Sequence, residues 1–303
     1  MEAKVVHGGL RHFESIRLLL VGAFVVVVLA SAPEPAFAQV DIAGEWGPLF
    51  HEDRLDRVPG PPPADFTGLP LSDGARQWAL SWDASRVSVL EHQCQVHVLP
   101  YILSGPTAFR IWAEKDVNTQ RIVAFHQYIG LWGQQRTIWV DGRSHPSDIA
   151  PHTWMGFSTG VWEGNTLVVR TTHIKQGWVR RNGVPESDRV KTTERFSRHG
   201  DMLTYVMYIE DPIYLTEPLV RSRNFVRMPG LNEGNWIAAT PCEPAEEIAN
   251  ALNAVPQYLP GENPFVKELA DRTGLPVDAL LGGAQTIYPE YQLRLADLMK
   301  QRK

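Results

Sequence analysis

The chain has 303 residues, a formal net charge of −5 and a sequence pI near 6.1. This acidic balance argues against nucleic acid as a partner, because nucleic-acid-binding domains carry a basic patch or stripe. Ten Trp and 23 Pro among 44% hydrophobic residues favour a β-rich, loop-rich globular protein with aromatic surfaces.

The first 38 residues predict a secretory signal peptide. Arg11 and Arg17 precede an apolar run over residues 18–30, which is shorter than the roughly 20 residues that span a bilayer. The AFA sequence at residues 36–38 has the small-x-small pattern of a signal-peptidase site. We therefore expect cleavage after Ala38 and a periplasmic or secreted protein. The alternative is an uncleaved anchor, which would be the chain's one contact with the membrane.

Residues 39–100 predict an N-terminal strand, a Pro-rich connector and a short helix. The strand is expected over residues 40–46. The connector VPGPPP at residues 58–63 cannot pair within a sheet, because Pro lacks the backbone donor. The helix is expected over residues 72–85, with Ser72 as its N-cap.

Residues 101–230 predict an antiparallel β-barrel. Eight segments of strand length recur there, over residues 109–116, 120–132, 136–142, 157–163, 165–174, 189–198, 201–211 and 219–228. Turns rich in Gly, Asn and Asp separate them, as in hairpins. Eight strands suffice to close a lipocalin-like barrel; a strongly curved meander sheet is the open version. Both faces of residues 202–209 are apolar, so we expect this strand to be covered on both sides.

Residues 231–303 predict a C-terminal loop and helices that pack on the barrel. Asn263 is the expected N-cap of one helix, with Pro264 at its first position. The last helix presents an apolar face formed by Tyr291, Leu295 and Leu298.

The two cysteines, Cys94 and Cys242, predict one disulfide if the chain enters an oxidising compartment. The alternative is a pair of buried thiols. His92 and His97 flank Cys94 at a spacing compatible with Zn or Cu, but a closed site needs further ligands. We therefore predict neither a metal nor a cofactor.

Residues 171–189, TTHIKQGWVRRNGVPESDR, gather cations and an aromatic ring in an acidic chain. A loop at the mouth of a barrel is well placed to meet a ligand. Arg binds carboxylates in a bidentate manner, and Trp supplies a flat apolar wall. The predicted ligand contacts are Trp154, Lys175, Trp178, Arg180, Arg181 and Asn182. The alternative is a solvated cationic loop paired with Glu186 and Asp188.

Histidines near this loop are candidate general bases. The predicted catalytic residues are His173, His152 and Asp141. A base needs an orienting group, so His152 is matched with Asp141, and His145 with Asp148. The alternative is that these histidines bond the backbone and have a structural role.

Glu194 lies on a predicted strand between apolar neighbours. It is expected in the interior as a salt-bridge partner of Arg170 or Arg223, or as a proton acceptor. G-x-S-x-G occurs at residues 156–160, but it runs into a predicted strand and not the strand-to-helix turn of a nucleophile elbow. The sequence contains no phosphate loop, no G-x-G-x-x-G after a strand and no H-E-x-x-H. Serine-hydrolase and nucleotide-dependent mechanisms therefore have no support.

Several segments resemble a large group of uncharacterised secreted bacterial proteins. The shared pieces are DGRxHP at residues 141–146 and WxGxSxGxWEGxT at residues 154–166. The loop TTHxKxGWxRRNG at residues 171–183 resembles a narrower branch of that group. The resemblance covers most of the chain after the signal peptide. It implies export and a single module, and it brings no activity.

These observations predict an exported protein that binds a small apolar or aromatic molecule with an anionic or carbonyl end in a β-barrel cavity. One alternative is a cofactor-free lyase, isomerase or hydrolase acting on such a molecule, with a His general base and Arg stabilisation. A second alternative is an envelope-associated structural protein that docks through exposed Trp and the helical tail.

Overall fold

Most of the predicted strand segments fold into one barrel. The computed structural model describes residues 40–49, 51–52, 61–83, 94–104, 108–130, 133–230, 243–244, 255 and 257–301. Its strands are β1 (Gly44–Pro48), β2 (Phe109–Lys115), β3 (Ile122–Ile129), β4 (Gln134–Trp139), β5 (Phe157–Glu163), β6 (Thr166–Thr172), β7 (Gly177–Arg180), β8 (Val184–Glu186), β9 (Lys191–His199), β10 (Met202–Glu210) and β11 (Leu219–Arg227).

The barrel closes in the order β1-β11-β10-β9-β6-β5-β4-β3-β2. Neighbouring strands are antiparallel except β4 and β5, which pair in parallel. The predicted lipocalin-like antiparallel barrel is thereby confirmed, and each of the eight predicted segments overlaps one strand. The barrel also includes β1, which pairs with both β2 and β11. The N-terminal strand therefore closes the sheet and leaves no free edge there.

Strands β7 and β8 form a separate two-stranded sheet inside the segment expected to be a cationic loop. Gly183 turns this hairpin with φ +88°, a left-handed conformation that Gly adopts at low cost. A Cβ at Gly183 would lie 2.4 Å from Cβ of Trp82. The hairpin therefore packs tightly against the chain that follows the N-terminal helix.

Inward-facing side chains fill the described part of the barrel. The large aromatic residues at 0–1% exposure are Trp46, Phe109, Phe125, Phe196 and Phe225. On β10 the outward side chains of Met202 and Tyr208 are 40% and 39% exposed. The prediction that this strand is covered on both sides is therefore wrong. Its outer row adds scattered apolar residues to the surface, which is common in soluble proteins.

An ion pair lies inside the barrel. Arg136 Nη2 and Glu194 Oε2 are 2.7 Å apart, and both side chains are at most 1% exposed. Arg136 also donates from Nε to Gln127 Oε1 at 2.7 Å, and the Tyr205 hydroxyl donates to Glu194 Oε1 at 3.2 Å. Burial, together with the charge of Glu194, raises the pKa of Tyr205 well above its usual value. Tyr205 therefore remains a hydrogen-bond donor.

Glu194 has a partner that the sequence did not indicate. Val169 pairs with Glu194 across β6 and β9, so the adjacent Arg170 points to the opposite, outer face, and the prediction of Arg170 is wrong. Arg136 pairs with Glu194 because strands β4 and β9 meet across the interior and not as sheet neighbours. Arg223 is also buried, and its pairing with Glu194 stays a prediction.

The helices lie together beside the barrel. They are α1 (Asp73–Ser81), α2 (Pro264–Thr273), α3 (Val277–Leu280) and α4 (Pro289–Gln301). The predicted caps are confirmed: Ser72 Oγ accepts from Ala75 N at 3.2 Å, and Asn263 Oδ1 accepts from Phe265 N at 3.0 Å. Asn263 also donates to Leu80 O at 2.8 Å, which joins α2 to α1.

The C-terminal helices contact the segment that leads into α1. Phe66 N donates to Leu280 O at 2.8 Å. On α4 the residues of intermediate burial are Tyr291, Leu295 and Met299, whereas the predicted Leu298 is 43% exposed. Within the described ranges, no helix has the length and apolar character needed to cross a membrane.

Candidate functional site

Two segments at one end of the barrel pair side by side, just before β5 begins and just after β6 ends. Thr153 and Ile174 form an isolated parallel bridge. Thr153 N donates to His173 O, and Lys175 N donates to Thr153 O, both at 2.9 Å. Side chains alternate along extended chains. Residues 152 and 154 therefore lie next to residues 173 and 175.

Backbone conformation makes this pairing possible. Gly156 has φ +67°, and a Cβ there would lie 2.6 Å from the carbonyl oxygen of Thr172. Gly is therefore needed where the chain turns into β5. His173 has φ +58°, which is costly for a residue with a side chain and persists only where surrounding contacts hold it. Such conformations cluster at functional sites.

Four predicted site residues meet at this bridge, and we call them the histidine–tryptophan site: His152, Trp154, His173 and Lys175. The imidazole centroids of His152 and His173 are 5.2 Å apart. The Lys175 ammonium lies 4.4 Å from the centroid of the Trp154 ring, within cation–π range. Lys175 is exposed, His152 and Trp154 are half-buried, and His173 is 8% exposed. The site is therefore open to solvent along one side.

Hydrogen bonds set the tautomers of both histidines. Backbone carbonyls only accept, so His152 donates from Nδ1 to Ile174 O, and His173 donates from Nε2 to Ser147 O, each at 2.9 Å. In neutral His173 the lone pair on Nδ1 accepts from Thr172 Oγ1 at 2.7 Å. In neutral His152 the lone pair lies on Nε2, which has no hydrogen-bond partner among the described residues.

His145 extends this chain of hydrogen bonds. Because Thr172 gives its proton to His173, its oxygen accepts from His145 Nδ1 at 2.8 Å. His145 Nε2 then accepts from Thr159 Oγ1 at 2.9 Å. The sequence places Thr159 and Thr172 on adjacent strands with outward side chains, but nothing in the spacing distinguished these hydroxyls from the expected partner, Asp148.

The environment of His145 favours its uncharged form. Burial, with the charges of His173, Arg170 and Lys191, lowers its pKa. Arg170 and Lys191 are exposed, so this face of β6 and β9 is cationic. An anionic molecule approaching the histidines therefore meets a favourable field.

The predicted pairing of Asp141 with His152 does not form. Asp141 instead binds Arg143, with Oδ2 and Nη2 2.5 Å apart. This hydrogen bond lowers the pKa of Asp141. The Arg143 guanidinium lies 3.3 Å from the ring centroid of Trp139. Gly142, with φ +82°, turns the chain so that the carboxylate meets the next side chain and not a histidine.

The remaining predicted ligand contacts lie in the β7–β8 hairpin: Trp178, Arg180, Arg181 and Asn182. Trp178 is buried, with its ring edge-on to Trp82 at 5.9 Å. Asn182 and Arg180 donate to Asp65 O at 2.8 and 3.1 Å. Arg181 is exposed. These contacts of Trp178, Arg180 and Asn182 attach the hairpin to the N-terminal segment, and the Trp178 ring also lies 6.1 Å from the His97 ring, centroid to centroid.

Cys94 lies within the described residues, whereas Cys242 and His92 lie outside them, so the disulfide stays a prediction. His97 is buried, with its ring edge-on to Tyr101 at 4.6 Å. Across the parts of the chain that the structure describes, no group of three His, Cys, Asp or Glu side chains is arranged to hold a metal ion.

Two cavities lie beside the C-terminal helices and not inside the barrel. One has a volume of about 500 Å³ and is lined by residues of α1, α2 and the chain before α2, including Leu80, Leu259 and Val266. The other has a volume of about 430 Å³ and is lined by residues of α2 and of the chain up to Val277 at the start of α3. Neither is lined by a predicted site residue. The position of the histidine–tryptophan site therefore rests on side-chain chemistry and not on cavity volume.

Comparison with known proteins adds no further constraint. The chain matches no protein-family model, and no curated protein or solved structure was found to match it. The resemblance to secreted bacterial proteins therefore stays a prediction.

Proposed function

We propose that the protein binds a small apolar or aromatic molecule with an anionic or carbonyl end at the histidine–tryptophan site. The observation that carries this proposal is the parallel bridge between Thr153 and Ile174. It brings together side chains from two segments, each of which contributes one histidine and one residue suited to an aromatic anion.

The chemistry of the four side chains supports this ligand class. Trp154 offers a flat apolar ring, and the exposed Lys175 ammonium lies over that ring, 4.4 Å from its centroid. Residues two apart in an extended chain are separated by roughly 6.5 Å. A molecule with its ring against Trp154 therefore reaches Lys175 with a carboxylate and still contacts His152.

The ligand is placed at the end of the barrel and not within it. The described interior side chains pack against one another in a continuous apolar core. The histidine–tryptophan site instead has one open side. Export to the periplasm or medium and a Cys94–Cys242 disulfide belong to the same proposal and rest on the sequence.

Calorimetric titration with phenylacetate tests the proposal. Lys175→Gln is expected to weaken binding by about tenfold or more, because a charge-assisted hydrogen bond contributes about 1.5–3 kcal/mol. Uncharged phenylacetamide is expected to bind more weakly than phenylacetate. Lys115→Gln, which removes an exposed ammonium from β2, is the matched control and is expected to leave binding unchanged. Equal losses in the two lysine variants would show nonspecific charge attraction and refute the site.

A cofactor-free enzyme acting on the same molecule is the second candidate function. The observation that favours it is Nε2 of His152, which has no hydrogen-bond partner in the part of the chain that the structure describes, while Nδ1 of the same ring is held by a backbone carbonyl. The envelope-docking alternative stays a prediction from the sequence.

A further inference from the structure

We propose that His152 removes a proton from a carbon atom adjacent to a carbonyl group of the bound molecule. The substrate class is 2-oxo acids with an aromatic or apolar side chain. This inference rests on the proposed function, because the same four residues hold the ligand. It goes further by assigning a reaction and by distinguishing the two histidines.

The two histidines differ in how many of their ring nitrogens form hydrogen bonds. His173 engages both nitrogens, with Ser147 O at 2.9 Å and Thr172 Oγ1 at 2.7 Å. Within the described ranges, His152 forms a hydrogen bond through Nδ1 alone, with Ile174 O at 2.9 Å, and its side chain is half-buried. A general base needs an oriented ring and a nitrogen open to substrate. His152 meets both requirements, and His173 acts as a positioning residue beside it.

The substrate class follows from the arrangement of groups around His152. Trp154 lies two residues away on the same side of the chain and suits an aromatic or apolar side chain. Lys175 lies against Trp154 and suits a carboxylate with an adjacent carbonyl. In a 2-oxo acid the acidic C–H lies one atom beyond that carbonyl. The base, His152, lies two residues from Trp154, a separation of roughly 6.5 Å along the chain, on the side where this carbon is expected.

The proposed step balances without an oxidant or a cofactor. The proton on C3 moves to Nε2 of His152, and the C–H electron pair becomes the C2–C3 double bond. The carbonyl π pair moves to the C2 oxygen, whose negative charge is stabilised by the Lys175 ammonium. The imidazolium then returns a proton to the oxygen, giving the enol, or to C3, giving the keto acid back.

Proton exchange into phenylpyruvate in D₂O, followed by NMR, tests this inference, with binding measured by calorimetry on the same samples. The folded protein is expected to accelerate loss of the C3 proton signal over buffer. His152→Ala is expected to slow exchange by about 100-fold, the scale of a general base, and to weaken binding much less than Lys175→Gln does. Added imidazole is expected to restore part of the lost rate. A merely structural histidine would show no such rescue.

His126→Ala is the matched control. His126 is a half-buried histidine on the outer face of β3 whose ring nitrogens contact Glu114 and Thr137. This variant is expected to retain both binding and exchange. Phenylpyruvate binding without accelerated exchange, or exchange unaffected by His152→Ala, overturns the inference and leaves the binding proposal intact. Failure of both phenylpyruvate and phenylacetate to bind overturns both.

Discussion

Glu194→Gln is expected to lower the free energy of unfolding by about 3–5 kcal/mol, because it leaves one member of a buried ion pair without its counter-charge. Arg136 and Glu194 are at most 1% exposed and contact each other at 2.7 Å. The substitution keeps the shape of the side chain and removes the charge. Urea unfolding, followed by circular dichroism, measures the loss.

Glu163→Gln is the matched control for that experiment. Glu163 pairs with Arg195 at 2.9 Å on the outside of the barrel, where the two side chains are 54% and 41% exposed. Solvent screens this pair, so its loss is expected to cost at most about 1 kcal/mol. If the two substitutions had equal effects, the interior of the barrel would not be the dry, packed core described above.

Glu186→Gln is expected to remove the part of the pH dependence of the unfolding free energy that arises from the Glu186 carboxyl group. Glu186 is fully buried on β8, and neither carboxylate oxygen has a hydrogen-bond partner among the described residues. Burial, and then the charge of Asp211, raises its pKa well above the usual value. The folded state therefore holds the carboxyl proton over a pH range in which the unfolded chain has released it.

The sign of this effect follows from proton linkage. Between the unfolded pKa, about 4.3, and the raised folded pKa, folding takes up a proton, so the contribution of Glu186 to stability falls as pH rises. Within this range the free energy of unfolding falls by about 1.4 kcal/mol per pH unit. In thermal unfolding at a series of pH values, the stability of Glu186→Gln relative to the native protein should increase as pH rises above the unfolded pKa of the carboxyl group. A constant difference across that range would mean that Glu186 titrates normally.

The barrel could be predicted from the sequence because each of its strands buries one face, which produces an alternating pattern of side chains. Residues 157–163 were predicted as a strand and form β5 over the same residues, since alternation and the flanking turns both mark its ends. The β7–β8 hairpin was missed because strands of four and three residues are too short to show a two-residue period. The outer face of β10 was misjudged because apolar residues at its surface resemble a second buried face.

The candidate site could be predicted only in part from the sequence. Residue types identified Trp154 and Lys175 as ligand contacts, and His152 and His173 as candidate bases. Their meeting depends on a parallel bridge between segments about 20 residues apart, and Gly156 is the one sequence signal of the turn that permits it. Spacing alone also favoured carboxylate partners for the histidines, whereas the fold supplies backbone carbonyls and threonine hydroxyls.

The most direct measurement of the proposed site is an NMR titration of ¹⁵N-histidine-labelled protein with phenylacetate. The ring resonances of His152 and His173 are expected to shift together and to saturate with the calorimetric affinity. His126, on the outer face of β3, is expected to stay unchanged. Saturable binding that leaves the His152 and His173 resonances where they were would place the ligand elsewhere and contradict the assignment of the histidine–tryptophan site.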